Sequence, residues 1–340
     1  MGIVVGLSCL LYASGTMRNG SPSLRRHVLP GAALLAFLLV GASAAPPSPE
    51  GSARRDDDVT RRTFSVGTTG RLHLDSHRGA VEVVIGREGT VEVEVVRAPG
   101  RRQTLDDFAL TFEQRGDDVY VRGRFADADR YARDGGNDYR VRYRVVLPRR
   151  FDATIQTALG DVVVGDLGGD LAVRNAAASL DLGEIGGDVM AETAAGGIEL
   201  DGAGGDATLR TSAGNIAVGR VGGDFDARGS AGNVEVDGVG GALAVETSAG
   251  NVEATLLQAP RQDAEVETSA GNITLRVPTG AAFVVDAVAR GGRIDVNLPR
   301  DGGGYARAPR ADALHQTVGS GGPTLRLRTS QGTITVRQTR

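Results

Sequence analysis

Residues 196–231 read GGIELDGAGGDATLRTSA followed by GNIAVGRVGGDFDARGSA, two consecutive phrases of 18 residues built on one plan. The phrase recurs between Leu159 and Leu275, and its successive copies begin at Gly160, Ala178, Gly196, Gly214, Gly232 and Gly250. The next two steps, to Gly271 and Gly292, are 21 residues long. Self-similarity at a fixed period of this size predicts an array of stacked repeats.

Each phrase alternates short apolar pairs with glycine. In the copy that begins at Gly214, Ile216 and Val218 lie two residues apart, and Phe225 and Ala227 repeat that spacing. Side chains alternate across a β-strand, so this spacing predicts two strands, and the glycines between them predict turns in which glycine adopts φ > 0. We therefore predict an all-β fold, a single-stranded β-solenoid (β-helix) with 18-residue coils. The coils are expected to stack at about 4.8 Å.

Stacking leads to predictions about particular side chains, because equivalent positions of successive coils lie above one another. The asparagines at one corner are predicted to form a ladder of side-chain amides, at Asn215, Asn233, Asn251 and Asn272. The predicted turn glycines are Gly160, Gly196, Gly214, Gly232, Gly250 and Gly271, together with Gly-Gly pairs such as Gly204-Gly205. Inward positions hold small or branched apolar residues, with Phe225 as the larger exception. This pattern predicts a narrow, packed interior with no room for a ligand.

The N-terminal residues have a different composition. Residues 1–44 are predicted to be a secretory signal peptide, with Met17 as an alternative start, an apolar run of 13 residues from Val28 to Val40, and an Ala42-Ser43-Ala44 cleavage site. That run is short for a membrane span, and an uncleaved N-terminal anchor is the alternative. Residues 45–60, rich in Pro, Ser and Asp, are predicted to be a flexible linker. The only cysteine, Cys9, lies within residues 1–44, which excludes disulfides and thiol chemistry after signal cleavage.

Residues 61–151 keep the alternation of a strand but lose the 18-residue phrase. They are predicted to be an irregular β region that covers the N-terminal end of the solenoid, either as irregular coils or as a small β-sandwich. The predicted strands are Thr63–Val66, Arg71–Asp75, Ala80–Ile85, Val91–Arg97, Phe108–Glu113, Val119–Phe125 and Tyr139–Leu147. Residues 152–340 are assigned to the solenoid repeats. Because residues 329–334 repeat the TSAGNI phrase of residues 211–216, the last coil is predicted to close the stack.

Three phrases resemble a known family. These are VVLPRRFDATIQTALGDVVV at residues 145–164, the repeated GGD and TSAGN motifs, and VGSGGPTLRLRTSQGTITV at residues 318–336. They resemble a bacterial adhesin-like family, a domain of unknown function (DUF) with β-solenoid repeats, which is similar to the head-domain repeats of autotransporter adhesins. The resemblance covers roughly Thr63 to Arg337. It implies a β-solenoid exported to the cell envelope, with no established chemistry.

Several polar residues raise chemical alternatives. Stacked carboxylates can bind Ca²⁺, and Asp170, Asp188, Asp206 and Asp224 recur at 18-residue intervals. The nine-residue glycine-aspartate phrase of the calcium β-roll is incomplete here, so we interpret these aspartates as solvated turn residues and keep a calcium-stabilised surface repeat protein as an alternative. His73, His77 and His315 lie on strand and turn segments, where a four-residue spacing does not assemble a metal site. We predict no metal, no cofactor and no catalytic residue.

The distribution of charge along the chain limits the kind of partner that it can bind. Between Leu159 and Leu275 the chain carries 19 acidic residues and five arginines, a net charge of −14, whereas residues 276–340 carry ten arginines and four aspartates, a net of +6. Arg140, Arg142 and Arg144 are expected to share a face and to pair with Glu82, Glu92 and Glu94. An acidic repeat region without interleaved aromatic residues disfavours nucleic-acid binding.

The sequence therefore predicts a non-enzymatic, exported, adhesin-like binding or structural scaffold. Its partner is an unknown surface ligand, glycan or envelope protein, met in the periplasm, at the outer surface or outside the cell, and the mature chain is expected to have no transmembrane helix. The alternative from another class is a β-helical carbohydrate-active enzyme of the polysaccharide lyase or hydrolase type, since such enzymes place carboxylates on one face of a β-helix.

Overall fold

The structure, a computed structural model, describes residues 57–100, 103–127, 138–298 and 312–339. The predicted signal peptide, Cys9 and most of the predicted linker lie outside these residues. The described strands are, in chain order, β1 Asp58–Ser65, β2 Arg71–Ser76, β3 Ala80–Ile85, β4 Thr90–Ala98, β5 Phe108–Arg115, β6 Asp118–Phe125, β7 Arg140–Leu147, β8 Asp152–Leu159, β9 Val162–Val164, β10 Leu171–Ala177, β11 Leu180–Ile185, β12 Val189–Ala195, β13 Ile198–Ala203, β14 Ala207–Ala213, β15 Ile216–Val221, β16 Phe225–Ala231, β17 Val234–Val239, β18 Leu243–Ala249, β19 Val252–Leu256, β20 Ala264–Ala270, β21 Ile273–Val277, β22 Phe283–Ala289, β23 Arg293–Asn297, β24 Ala313–Val318, β25 Thr324–Gln331 and β26 Thr333–Gln338. A short 3-10 helix, Leu105–Asp107, precedes β5.

The strands form two 13-stranded sheets, and each coil contributes one strand to each sheet. The first sheet has the order β1-β4-β7-β3-β9-β11-β13-β15-β17-β19-β21-β26-β23, and the second has the order β24-β22-β25-β20-β18-β16-β14-β12-β10-β8-β2-β6-β5. Repeat strands pair in parallel with equivalent residues opposite one another, so Ile198 lies opposite Ile216 and Ile216 lies opposite Val234. The prediction of an all-β solenoid with 18-residue coils is confirmed.

The inward side chains of the two sheets form one continuous apolar core. Phe225 is 1% exposed and lies in register between Ala207 and Leu243, so a small neighbour on one side accommodates its ring. Each large apolar side chain buried in this way stabilises the fold by roughly 1.5–3 kcal/mol. Because buried apolar side chains fill the interior along the stack, a partner must contact an outer face.

The N-terminal region extends the same two sheets. β2 pairs in parallel with β8, and β3 pairs in parallel with β9, so this region consists of irregular coils rather than a separate sandwich. β6 and β7 lie outside β2 and β3, and the antiparallel strands β1, β4 and β5 complete that end. The seven strands predicted here are all present. The linker prediction is corrected at its end, because residues 58–60 already belong to β1 and pair with β4.

The C-terminal end corrects another prediction. β25 and β26 carry the recurring TSQGTI phrase, and they pack directly on β20 and β21, with Thr268 opposite Thr329. β22 and β23, which precede them in the chain, lie farther out, and the antiparallel strand β24 forms the edge of the second sheet. The last coil therefore does not close the stack. Because the sequence of this coil matches the repeat, it packs on the last coil of the repeat region, β20 and β21.

Glycine is required at the corners for two different physical reasons. Gly214 has φ +147, and a Cβ atom there would overlap the carbonyl oxygen of Gly196 in the preceding coil. The predicted turn glycines Gly160, Gly196, Gly232 and Gly250 also have positive φ, whereas Gly271 is required only by its close approach to Gly250. The prediction that the Gly-Gly pairs adopt positive φ is also corrected. Gly204, for example, lies outside the positive-φ range, and its Cβ would overlap the carbonyl oxygen of Gly186.

Candidate binding surface

The predicted asparagine ladder lies at the corner between the second and first sheets, but its hydrogen bonds differ from the prediction. The Oδ1 atom of Asn215 accepts a hydrogen bond from the backbone N–H of Asn233 at 2.9 Å, and Asn233 and Asn251 repeat this contact with the next coil. Only Asn272 donates a side-chain amide hydrogen to another amide in this ladder, to Oδ1 of Asn251 at 3.2 Å. The ladder therefore joins side chain to backbone and ties successive coils together.

The recurrent aspartates build a matching ladder at the other corner. Oδ1 of Asp170, Asp188 and Asp206 accepts a hydrogen bond from the backbone N–H of the next aspartate at 2.8–3.0 Å. Asp224 receives the same bond from Ala242 at 2.7 Å. One carboxylate oxygen of each residue is thus committed to the backbone. In the part of the chain that the structure describes, no group of three or more Asp, Glu, His or Cys side chains is placed to hold a metal ion.

A third column lies inside the second sheet, where threonine hydroxyls bind the corner carbonyls. Thr193, Thr211, Thr268 and Thr329 each donate to a corner carbonyl oxygen at 2.9–3.0 Å. The column is interrupted at Gly229, which lies between Thr211 and Thr247. The hydroxyl of Thr247 is buried and has no hydrogen-bond partner. Gly229 therefore leaves a gap in the sheet beside a free hydroxyl donor.

A shallow groove of about 830 Å³ runs along the outer face of the second sheet, across seven neighbouring strands from β2 to β18. At about 4.8 Å per strand, its length is roughly 29 Å. Its small column consists of Ala158, Ala176, Ala194, Ser212, Ser230 and Ser248. Its charged column consists of Asp75, Gln156, Arg174, Glu192, Arg210, Arg228 and Glu246. The small column leaves space between the corner and the longer side chains, and this space forms the groove.

The charged column is unevenly paired. Arg174 lies 3.8 Å from Glu192, and Arg228 lies 3.1 Å from Asp226 and 3.8 Å from Glu246. Arg210 lies directly opposite Arg228 in the register of β14 and β16. Arg210 forms no ion pair within the described residues, and it lies on the fifth of the seven strands that the groove crosses.

Histidine and aromatic side chains lie at the N-terminal end of the groove. His77 lines the groove, and its Nδ1 atom accepts a hydrogen bond from the backbone N–H of Phe125 at 3.3 Å. Burial lowers the pKa of His77, and the nearby Arg124 guanidinium lowers it further. His73 stacks on Tyr120 with ring centroids 4.5 Å apart, and burial lowers its pKa as well. Both histidines are therefore neutral near pH 7.

The outer face of the first sheet is acidic. Asp181, Glu199, Glu235 and Glu253 occupy one column of outward positions, interrupted by Ala217. Farther along this sheet Arg144 pairs with Glu82 at 3.1 Å, as predicted. The prediction for Arg142 is wrong, because the register places it opposite Ala80 and Val96 instead of a carboxylate. Arg140 lies opposite Ala98, and Glu94 pairs with Arg61.

Fold and groove together define a two-sheet β-solenoid repeat protein with a long groove on the outer face of its second sheet. The chain belongs to the Toastrack DUF4097 family, whose profile matches residues 150–337. The prediction of an adhesin-like DUF family with repeat β structure is confirmed. None of the curated proteins compared with the chain is a match.

Solved structures similar to this chain include three bacterial proteins of low sequence identity. A proposed cell adhesion protein from Clostridium sporogenes has 12% identity and a TM-score of 0.21, over 83% of this chain and 100% of that one. A proposed adhesin from Bacteroides fragilis has 12% identity and a TM-score of 0.36, over 83% and 97% of the two chains. A proposed lipid-binding protein from Parabacteroides distasonis has 10% identity and a TM-score of 0.32, over 83% and 97%.

Sequence reasoning did not find the groove. The signal was present in the exposed alanine or serine that occurs once in each coil, two residues after a position that is polar or charged in every coil. Whether such a column is a groove depends on how far the neighbouring side chains project, which periodicity alone does not define. Within the ranges that the structure describes, no helix has the length and apolar character needed to cross a membrane.

Proposed function

We propose that this protein is an exported, adhesin-like binding scaffold without catalytic activity or cofactor, and that the groove of the second sheet binds an extended glycan. The observation that carries the proposal is the groove itself, a straight channel that crosses seven strands and is lined by hydroxyl, amide and charged groups. A rigid solenoid holds these groups in place, which lowers the entropic cost of binding a long ligand.

The chemistry of the lining favours a glycan over a protein segment. A peptide that binds in a groove usually needs apolar anchor pockets or a free strand edge. Here the apolar residues of the small column are alanines, and the strands beneath the groove are paired on both sides. Serine and arginine side chains instead offer hydrogen-bond donors that suit a hydroxyl-rich polymer.

The spacing of carboxylates supports a binding role rather than glycoside hydrolysis. In the charged column Asp75, Glu192 and Glu246 are separated from one another by three strand steps. Three steps correspond to roughly 14 Å. Acid and base carboxylates of glycosidases lie about 5–9.5 Å apart. The groove carboxylates are therefore too widely spaced for the alternative of a hydrolytic enzyme, and we infer a scaffold.

Export is the second part of the proposal, and the predicted signal peptide of residues 1–44 supports it. The expected result is that the chain expressed with residues 1–44 is recovered from the cell envelope or medium with its N-terminus at Ala45. Mass spectrometry of the recovered chain tests this. A chain that stays in the cytoplasm with residues 1–44 attached contradicts it.

A glycan array with three chains tests the proposed binding surface. Ser212 is exposed in the small column of the groove, and Ala217 is exposed on the opposite face. We expect the unsubstituted chain and Ala217→Trp to bind the same oligosaccharides and Ser212→Trp to bind none of them, because the indole fills the groove. Equal binding by both variants contradicts the assignment of the groove. If the chain binds no glycan but captures an envelope protein that Ser212→Trp releases, the ligand is protein and the glycan proposal fails.

A further inference from the structure

The groove is chemically distinct where β14 and β16 lie side by side. Four of its residues lie within two neighbouring coils: the two arginines Arg210 and Arg228 and the exposed serines Ser212 and Ser230. Arg174 lies in register with Gln156 and Glu192, whereas Arg210 and Arg228 each have a glutamate on one side and the other arginine on the other side. Like charges directly opposite one another across a sheet are destabilising.

The charges at this step are incompletely compensated. Arg228 is shared between Asp226 and Glu246, and Arg210 has no ion pair in the described parts of the chain. An anionic group that binds between the two guanidinium groups would relieve their repulsion and form charge-assisted hydrogen bonds with Arg210. A bound oxyanion therefore gains affinity, because it relieves the repulsion between the two arginines.

The same step offers hydroxyl donors without partners. Ser212 and Ser230 are exposed in the small column and make no hydrogen bonds in the structure. Thr247 is 2% exposed, and its hydroxyl has no partner. The position that a Cβ atom of Gly229 would occupy lies 3.5 Å from that hydroxyl. This hydroxyl lies on the inner side of the sheet and is closed to the groove, so Ser212 and Ser230 are the hydroxyl donors that a ligand oxygen can reach.

We propose that Arg210 and Arg228, with the hydroxyls of Ser212 and Ser230 beside them, form a subsite for a single oxyanion, the carboxylate or sulfate of an otherwise neutral glycan. This rests on the proposed glycan-binding function of the groove and adds the chemical class of the ligand. Glu192 and Glu246 flank the two arginines on either side in the charged column. They repel further anionic groups along the ligand, so a chain with an anion on every sugar is expected to bind less well than a chain with one.

Calorimetric titration of the full chain with four probes tests the subsite. The probes are a neutral β-linked xylo-oligosaccharide, the same oligosaccharide with one glucuronate branch, the methyl ester of that branch, and a version with a sulfate ester in its place. We expect the glucuronate or the sulfate probe to bind about ten- to a hundredfold more tightly than the neutral probe and the methyl ester. Whichever anionic probe binds more tightly identifies the source of the oxyanion.

Three variants separate the subsite from its surroundings. Arg210→Gln is expected to weaken binding of the anionic probe far more than binding of the neutral probe, so that the preference for the anionic probe is lost. Arg220→Gln is the matched control, because Arg220 is an exposed arginine of the first sheet with no ion pair in the described residues. Arg228→Gln removes the second guanidinium group of the subsite, so it is also expected to weaken anionic binding.

The outcomes distinguish this proposal from the proposed function. If the acid and its methyl ester bind equally, and Ser212→Trp abolishes both, the groove binds glycans but the oxyanion subsite does not exist. If Arg220→Gln weakens anionic binding as much as Arg210→Gln, the effect is one of overall charge and the subsite is refuted. If no probe binds the chain, or if Ser212→Trp leaves binding of every probe intact, both proposals fail.

Discussion

A matched pair of glycine substitutions tests the stacking of the coils most directly. Gly214 lies at a corner with φ +147, and its Cβ would overlap the carbonyl oxygen of Gly196. Gly229 lies in β16 outside the positive-φ range, and its nearest neighbours would be Thr247 Oγ1 at 3.5 Å and the Thr211 carbonyl oxygen at 3.8 Å. The same change to alanine is therefore expected to have opposite effects at the two positions.

The magnitudes follow from these geometries. At Gly214 the backbone conformation costs a side chain about 1–3 kcal/mol, and the shift that relieves the overlap sacrifices about one net hydrogen bond worth ~1 kcal/mol. Gly214→Ala should therefore lower the free energy of unfolding by roughly 2–4 kcal/mol. At Gly229 the contacts are ordinary, so Gly229→Ala should raise it by about 0.5–1 kcal/mol, because alanine restricts the unfolded chain.

Equilibrium unfolding in urea, followed by circular dichroism, measures both differences. Solenoids can unfold in steps, so hydrogen exchange of the coils around residues 196–249 should accompany it. With Gly214→Ala we expect faster exchange in these coils, and with Gly229→Ala we expect unchanged or slower exchange. If the two variants shift stability in the same direction, or if Gly214→Ala lies within about 0.5 kcal/mol of the unsubstituted chain, the account of the corners is wrong.

Three further predictions concern polar side chains. Thr268→Val removes the hydroxyl bond to the Gly250 carbonyl and should destabilise the fold by about 1–2 kcal/mol, whereas Thr247→Val should be neutral or stabilising because its hydroxyl has no partner. The midpoints of urea unfolding compare the two variants. Equal decreases in stability would contradict the assignment of a hydrogen bond to Thr268 and none to Thr247. Asp206→Ala leaves the N–H of the next aspartate without its acceptor and should cost about 0.5–1 kcal/mol, while Asp206→Asn keeps an acceptor and should cost less. A larger loss for asparagine in the same urea assay would show that the charge, not the hydrogen bond, matters. The Arg328 guanidinium donates to Asp286 and holds the pKa of that carboxyl below its usual value. A depressed folded pKa contributes stability that is present above the unfolded pKa and is lost as pH falls through the folded pKa. NMR titration should therefore show Asp286 protonating at a lower pH than an ordinary aspartate, and Arg328→Ala should raise that midpoint. A midpoint unchanged in Arg328→Ala would contradict this cause.

The repeat region was predictable because period, strand spacing and corner glycines point to the same stack. The ends were less predictable for a physical reason. β6 and β7 lie outside β2 and β3, and β25 and β26 are inserted beneath β22 and β23, so chain order and spatial order diverge there. An alternating strand pattern specifies which face is buried but does not specify which neighbour it pairs with. The wrong partner for Arg142 has the same origin, because a charge pair depends on register across the sheet.

The groove was harder to predict because the residues that give it its character differ from coil to coil and do not follow the repeat pattern. Inside the second sheet each coil must match the coils above and below it, and the column Thr193, Thr211, Gly229, Thr247 and Thr268 departs from threonine only once. The single glycine is visible in the sequence as RGSAGN in place of RTSAGN. Its meaning depends on packing, since only the structure shows that the missing side chain lies beside the buried, unpartnered hydroxyl of Thr247.

The outer column next to it has no such constraint, and here the chain varies from coil to coil. Gln156, Arg174, Glu192, Arg210 and Arg228 occupy equivalent positions but differ in charge. A uniform ladder would satisfy the fold equally well, and alternating charges would stabilise the sheet better than two adjacent arginines do. Stability therefore does not account for the order of charges along the groove. Stability leaves the step from Arg210 to Arg228 unexplained. At this step a ligand anion would neutralise the repulsion between two adjacent positive charges.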